Sequence, residues 1–299
     1  MTVIGRDYTG AEDLARISGL ISDAWLTARP HVPFTVVTLE WLMANQPPET
    51  DWSTRIRLWE EAGELVAVAW YWPPGNADGL VRADHDDDAV WDEVYAWQRE
   101  LAASAAGGPE PLSRFAIDGP TPERARLERY GFITTDLTLT QWHQVLSGLP
   151  PGPLLPPGYR VRTMSGPDDV AARVEVHRAA FAPSHMTVER YRRVMSMPHY
   201  ALDRDVVVEA PDGTFAAFTL AWLDPVAGVG EFEPVGTHPD HQRRGLALAA
   251  NRYALRLLYE AGARDVIVFS ETANVAAQAL YATAGFTSLA AHRRWERPA

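Results

Sequence analysis

Four stretches in the second half of the chain carry side chains that could do chemistry: Glu231-Phe232-Glu233-Pro234, the run Gln242-Arg243-Arg244-Gly245-Leu246-Ala247, Asn274 and Tyr281. The first reads as a strand broken by proline. Pro234 has no N–H for a sheet ladder, which argues for an edge position or a bulge. A bulge would turn the backbone groups of Val235, Gly236 and Thr237 outward, where an amide-containing ligand could pair with them like an extra strand. The N–H of Val235 could also face a carbonyl oxygen that gains negative charge during reaction. Glu231 and Glu233 share strand parity just ahead of the break, although a bulge can alter where each points. A solvated or salt-bridged strand carboxylate is the plainer reading of either.

The second stretch lies where strand passes through a polar turn into helix, so unpaired backbone N–H groups collect there as an anion site. Gly245 and Ala247 leave room for close backbone approach, and Arg243 and Arg244 supply positive charge suited to a pyrophosphate. An ordinary basic helix start would look the same. Asn274 suits the N-cap of the helix that follows it. Tyr281 falls on one helical face with Ala277, Leu280 and Ala284, which by itself reads as a core aromatic. His238 and His241 lie in a polar loop without further metal ligands at useful spacing, so no metal is expected there. Asp84-His85-Asp86-Asp87-Asp88 is acidic but lacks the glycine and terminal glutamate of a calcium loop. With no cysteine in the chain, disulfides, thiolate zinc sites and cysteine nucleophiles are excluded.

These groups need elements to hold them. The chain has 299 residues, and about 150 per domain suggests two domains. Its formal net charge of −12 and pI of about 5.2 argue against a nucleic-acid or anionic-membrane surface and mildly favour a cationic small-molecule partner. No apolar run approaches the roughly 20 residues of a membrane span. The first residues lack the basic and apolar regions of an export signal, so the expected location is cytoplasmic.

Between Ser147 and Gly158 the sequence SGLPPGPLLPPG suits a stiff linker, which places one domain at 1–146 and another at 159–299. The same order of signals occurs on both sides. Capped amphipathic helices follow Gly10 and Gly166, glycine-turn hairpins centre on Gly63 and Gly213, and helices close on Gly131 and Gly285. Offsets of 156, 150 and 154 residues indicate a tandem duplication. The second half reads as helices over 168–181 and 187–197, then hairpin strands over 205–210 and 214–223. A strand over 229–235, a long helix over 243–261, a buried strand at 265–269, a helix over 275–284 and a terminal hairpin region complete it. This is an α/β pattern, helices covering a mixed sheet.

The second half resembles the GNAT superfamily of acyl-CoA-dependent N-acyltransferases. That family carries (Gln/Arg)-x-x-Gly-x-(Gly/Ala) after a bulged strand, matched here by Gln242, Gly245 and Ala247. Asn274, Tyr281 seven residues on, and Gly285-Phe286 follow its later pattern. The resemblance implies two tandem GNAT-like domains, each a mixed, mostly antiparallel sheet flanked by helices. It implies acetyl-CoA as cosubstrate, its pyrophosphate on the loop 242–247, its pantetheine arm along Val235, Gly236 and Thr237, and Asn274 as a further contact. Direct transfer to an amine then needs a base, with Glu231 the first candidate and Glu233 the second, and the resemblance makes Tyr281 the acid that protonates the departing thiolate.

In the first half the loop counterpart falls near Asp84–Asp88, Leu127 stands in the place of Tyr281 and Pro120 in that of Asn274. That half is expected to be a degenerate copy without a CoA loop, serving as scaffold or as one wall of the acceptor pocket. His177, Phe181, His185, Tyr191 and Trp222 are possible acceptor-lining residues, each of which also suits packing. The reading is an N-acetyltransferase for a primary amine of a small molecule. A non-catalytic acyl-CoA-binding or regulatory protein, another acyl group, or a hydroxyl acceptor are the alternatives.

Overall fold

The computed structural model describes residues 3–32, 34–105 and 107–299. The first half runs β1 (Ile4–Asp7), α1 (Ala11–Ala28), α2 (Val36–Asn45), β2 (Ile56–Glu61), β3 (Glu64–Trp72), β4 (Asn76–Val81), α3 (Asp88–Ala103), β5 (Leu112–Ile117), α4 (Pro122–Arg129) and β6 (Ile133–Val145). The second runs β7 (Arg160–Thr163), α5 (Val170–Ala180), α6 (Val188–Met195), β8 (Asp205–Glu209), β9 (Phe215–Asp224), β10 (Val229–Thr237), α7 (Leu246–Glu260), β11 (Asp265–Glu271), α8 (Val275–Ala284) and β12 (Thr287–Arg297). The two series have the same order of strands and helices. No helix among the described residues is long and apolar enough to cross a membrane.

The duplication extends to side chains. At the first strand–helix turn, Asp13 accepts from Arg6 at 2.6 and 2.7 Å, from the Thr9 N–H at 2.8 Å and from the Thr9 hydroxyl at 2.7 Å. Asp169 accepts from Arg162 at 2.6 and 3.0 Å, from the Ser165 N–H at 2.7 Å and from the Ser165 hydroxyl at 2.8 Å. Both carboxyls are held well below the usual carboxylate range, first by the arginine. Each arginine also reaches a strand glutamate, Glu60 or Glu209.

The chain divides into two compact units that do not follow the linker. One comprises Met1–Phe34, Pro47–Thr140 and Ala290–Ala299, the other Thr35–Gln46 and Gln141–Leu289. Helix α2 of the first half belongs to the second unit, where Val36, Val37, Leu39 and Met43 are buried. Its mostly apolar sequence, VVTLEWLMAN, suits a helix enclosed by other elements. The chain's last residues pass to the first unit, where Arg297 to His292 pair antiparallel with Leu112 to Ile117. The expected terminal hairpin region is thus the single strand β12.

In the second unit the sheet order is β11-β10-β9-β8-β7. β10 is parallel to β11 and antiparallel to β9, and the remaining pairs are antiparallel. The end of β6 joins beside β11, where the Leu146 N–H donates to the Arg264 carbonyl at 2.8 Å. One face packs Val206, Val208, Ala221, Phe232, Val266 and Val268 under Leu246, Ala250, Leu255 and Leu258 of α7. The other packs Val207 and Phe218 against Val174 and Tyr191 of α5 and α6. Runs such as VVV and VIV are apolar throughout because both faces are covered. The first unit orders its strands β1-β2-β3-β4-β5-β12 around Trp59, Tyr71, Trp91 and Tyr95.

Candidate active site

All residues of the candidate site lie in the second unit. Along β10 the register with β9 runs to Phe232↔Ala221 and resumes at Val235↔Thr219, so Glu233 and Pro234 face one residue, Leu220. This is the bulge expected from a proline that cannot donate. The Trp222 indole N–H donates to the exposed-by-bulge carbonyl of Glu233 at 2.6 Å. Trp222 is fully buried, so it fixes the bulge from inside the core and does not line an acceptor pocket.

On its other side β10 pairs with β11 only from Val229↔Asp265 to Glu231↔Ile267. From Phe232 to Thr237 that edge has no partner strand among the described residues. Val235, Gly236 and Thr237 are half-buried there, held to β9 on the opposite side. Gly236 is required by space: a Cβ would come within 2.4 Å of the Phe218 ring and 2.9 Å of Ala180.

The Glu233 carboxylate acts electrically on Glu231, two residues before it on β10. Glu231 is buried, and burial, reinforced by the charge of Glu233, pushes it up to about 8 despite a hydrogen bond from Thr35. Glu233 keeps some exposed surface, yet its carboxyl lies among enough protein that burial pushes it up to about 7. Tyr281, 5% exposed, is raised first by burial and then by the Glu233 charge, so the three groups share one electrostatic environment. The Tyr281 ring packs against Trp142 and Phe286 at centroid distances of 6.1 and 6.0 Å, and its hydroxyl bonds to no other described residue. The ring is thus core, as its helical face suggested, while the hydroxyl is left available. Asn274 caps α8, its Oδ1 accepting from the Ala277 N–H at 3.0 Å.

At the loop, α7 starts at Leu246, later than the expected 243, because Arg243 and Gly245 both have left-handed backbone (φ 59 and 77). The N–H groups of Arg243 to Leu248 find no acceptor among the described residues, and Ala249 is the first to bond back, to Gly245 at 3.0 Å. Space where a Gly245 Cβ would stand is open. Arg244 is tied back to the Tyr159 hydroxyl at 2.9 Å and the Asp240 carbonyl at 3.2 Å. Tyr159 also meets His241 Nδ1 at 2.9 Å, and His238 accepts the Asp240 N–H at 3.2 Å, so both loop histidines shape the turn.

Of the other residues named from sequence, Tyr191 is fully buried with its hydroxyl on Asp205. His177 is buried beside Phe218 and Phe181, and burial, then Arg173, lowers it to about 4. Phe181 and His185 are exposed. Two residues had no sequence signal beyond ordinary types: Tyr159, which anchors Arg244, and Thr35, whose hydroxyl donates to Glu231.

In the first unit the position opposite Trp70 that corresponds to Glu231 opposite Trp222 holds Asp78. It faces the buried Arg114 at 3.8 Å, and burial raises it to about 6. At the start of α3 the Asp87 side chain caps the helix, accepting the Val90 N–H at 3.0 Å. Leu127 is buried, and the N-cap matching Asn274 is Thr121 rather than Pro120.

The acetyltransferase (GNAT) family matches residues 175–286. The chain is 28% identical over 231 residues to a mycothiol acetyltransferase of Tsukamurella paurometabola, covering 73% of this chain and 77% of the relative. It is 31% identical over 240 residues to a mycothiol acetyltransferase of Beutenbergia cavernae, covering 75% and 77%. Across such relatives it spans 60 to 77% of their length. A tandem GNAT protein from the clavulanic acid biosynthesis pathway has the same fold, with TM-score 0.70, 16% identity and coverage of 99% of this chain and 98% of that one.

Proposed function

We propose that this chain, which belongs to the acetyltransferase (GNAT) family and is an acyl-CoA-dependent N-acetyltransferase, moves an acetyl group from acetyl-CoA to a primary amine of a small molecule by direct attack. The observation that carries the reading is the pair Glu231 and Glu233 beside the unpaired edge of β10, both pushed toward neutrality, with the Glu233 charge acting on both Glu231 and Tyr281. A base works best when its pKa lies near the operating pH. Glu231 takes one proton from the ammonium to free its lone pair, the nitrogen bonds to the thioester carbon and gives up its second proton to solvent, the C–S bond breaks, and Tyr281 protonates the thiolate and regains its proton from solvent. Glu233 shares the titration, so the pair has two apparent pKa values that belong to both.

The residues fit acetyl-CoA. Free N–H groups of Arg243, Arg244, Gly245, Leu246 and Ala247, in the turn that Gln242 opens, suit its pyrophosphate, with Arg243 the cation left available while Arg244 braces the turn. The open edge at Val235, Gly236 and Thr237 suits the amides of the pantetheine arm, and Asn274 lies at the neighbouring helix start. The first unit, with Asp78, Asp87 and Leu127 at the corresponding places, is a scaffold without a CoA site.

The test is transfer of label from acetyl-CoA into a metabolite extract and a panel of primary amines that includes the acceptor used by the mycothiol acetyltransferases. Label on the nitrogen of a small amine supports the reading. Acetyl-CoA binding without transfer to any amine, or label only on hydroxyl groups, contradicts it.

A further inference from the structure

The Glu231 carboxylate has one hydrogen-bond donor among the described residues, and it comes from a distant part of the chain. Thr35, 196 positions earlier, donates its hydroxyl to Oε2. The Thr35 hydroxyl oxygen in turn accepts the Val37 N–H at 3.2 Å as the N-cap of α2. A hydroxyl has one proton, so this capping bond directs that proton toward Glu231. Oε1 of Glu231 has no hydrogen-bond partner among the described residues, and the residue keeps 5% of its surface exposed.

Helix α2 is itself pinned. Glu40, fully buried, takes the His199 N–H at 3.0 Å and His199 Nδ1 at 2.5 Å. At the far end Arg193 donates to the carbonyls of Ala44 at 3.2 Å and Gln46 at 3.0 Å, filling acceptors that a helix terminus leaves open. A donor mounted on a helix fixed at its middle and end does not fray away from the carboxylate.

We propose that Thr35 is a positioning residue for acetyl transfer: its hydroxyl, oriented by capping α2, holds the Glu231 carboxylate so that Oε1 faces the incoming amine. This rests on Glu231 being the base. Among the described residues Glu233 is the charged group that acts on Glu231; α2, α5, α7, β9 and β11, packed around β10, add no other there. The hydroxyl favours the ionised carboxylate, so its loss must raise the pH at which the base becomes active.

The experiment compares Thr35→Val, Thr35→Ser, Glu231→Gln and the double variant by pH profile of CoA release, with 13C NMR titration of labelled glutamates as a second readout. Thr35→Gly stands in if Thr35→Val does not fold, since glycine also tolerates the N-cap. Thr35→Val is expected to lower kcat about tenfold, the scale of a hydrogen bond to a charged group. It also moves the acid limb and the Glu231 resonance to higher pH, leaves KM for acetyl-CoA unchanged, and is restored by Thr35→Ser. In the Glu231→Gln background the Thr35 change has no further effect on rate. An impaired Glu231→Gln with additive loss from Thr35→Val, or a lower Tm with both titrations unmoved, overturns the inference alone. A Glu231→Gln variant at wild-type rate overturns the base assignment and this inference with it.

Discussion

At the scale of residues, the two glutamates carry a cost in stability that separates them from ordinary surface carboxylates. Their ordinary value is 4.5, and the folded values are about 8 for Glu231 and about 7 for Glu233. Between those limits the unfolded chain releases protons that the folded chain keeps, so the contribution of these two groups to stability is most favourable near and below pH 4.5 and falls as pH rises through the folded values. Glu231→Gln should therefore raise Tm at pH 8 and change it little at pH 4.5, with a gain on the order of 4 kcal/mol at the upper pH. Thermal unfolding at the two pH values checks this; equal shifts at both would contradict it. Tyr281→Phe should keep the packing against Trp142 and Phe286 and lower kcat about a hundredfold, the range for a lost general acid. Steady-state kinetics set beside a melting curve would show whether the loss is chemical.

These residues were legible to different degrees. Glu231, Glu233 and Tyr281 stand in or beside a recognisable motif. Thr35 does not: its role depends on tertiary contact across nearly two hundred residues, and a threonine ahead of a helix announces only a cap. In sequence Trp222 is only an aromatic near the site; the burial that turns it into a brace for Glu233 follows from sheet packing.

At the scale of elements, one proline and two glycines shape the site. Pro234 produced the bulge its chemistry predicts, and the strand on either side was recovered within two residues. Gly236 and Gly245 matter for opposite reasons, and the contrast is testable. Gly236→Ala forces a methyl into the Phe218 ring and should cost about 1–3 kcal/mol of stability, as overpacked core sites do. Gly245→Ala meets open space but must hold φ 77, so it should cost only about 1 kcal/mol while raising KM for acetyl-CoA more than it lowers kcat. Chemical denaturation and initial rates separate the two, and a Gly245 variant with unchanged KM would contradict the loop assignment. The start of α7 lies three residues beyond the one composition suggests, because left-handed backbone at an arginine leaves no mark in the sequence.

At the scale of the whole molecule, glycine landmarks revealed the duplication, and the matching clusters of Arg6 with Asp13 and Arg162 with Asp169 extend it to side chains. What the linker obscured is that the second unit takes α2 from the first half. A fragment of residues 147–299 would lack α2 and with it the donor to Glu231. It should be inactive and expose apolar surface, which gel filtration and dye binding would register; full activity in that fragment would contradict the arrangement. Calorimetry should find one acetyl-CoA per chain, because Asp87 occupies the corresponding helix start in the first unit. The most direct test of the account is the pH profile of free-CoA release for the wild type and Glu231→Gln, using the amine that accepts label. The wild type should rise through about pH 7–8, following Glu231 and Glu233, to a plateau. Glu231→Gln should fall by about a hundredfold or more and lose that rise; a Glu231→Gln profile that keeps both rate and limb would contradict the account.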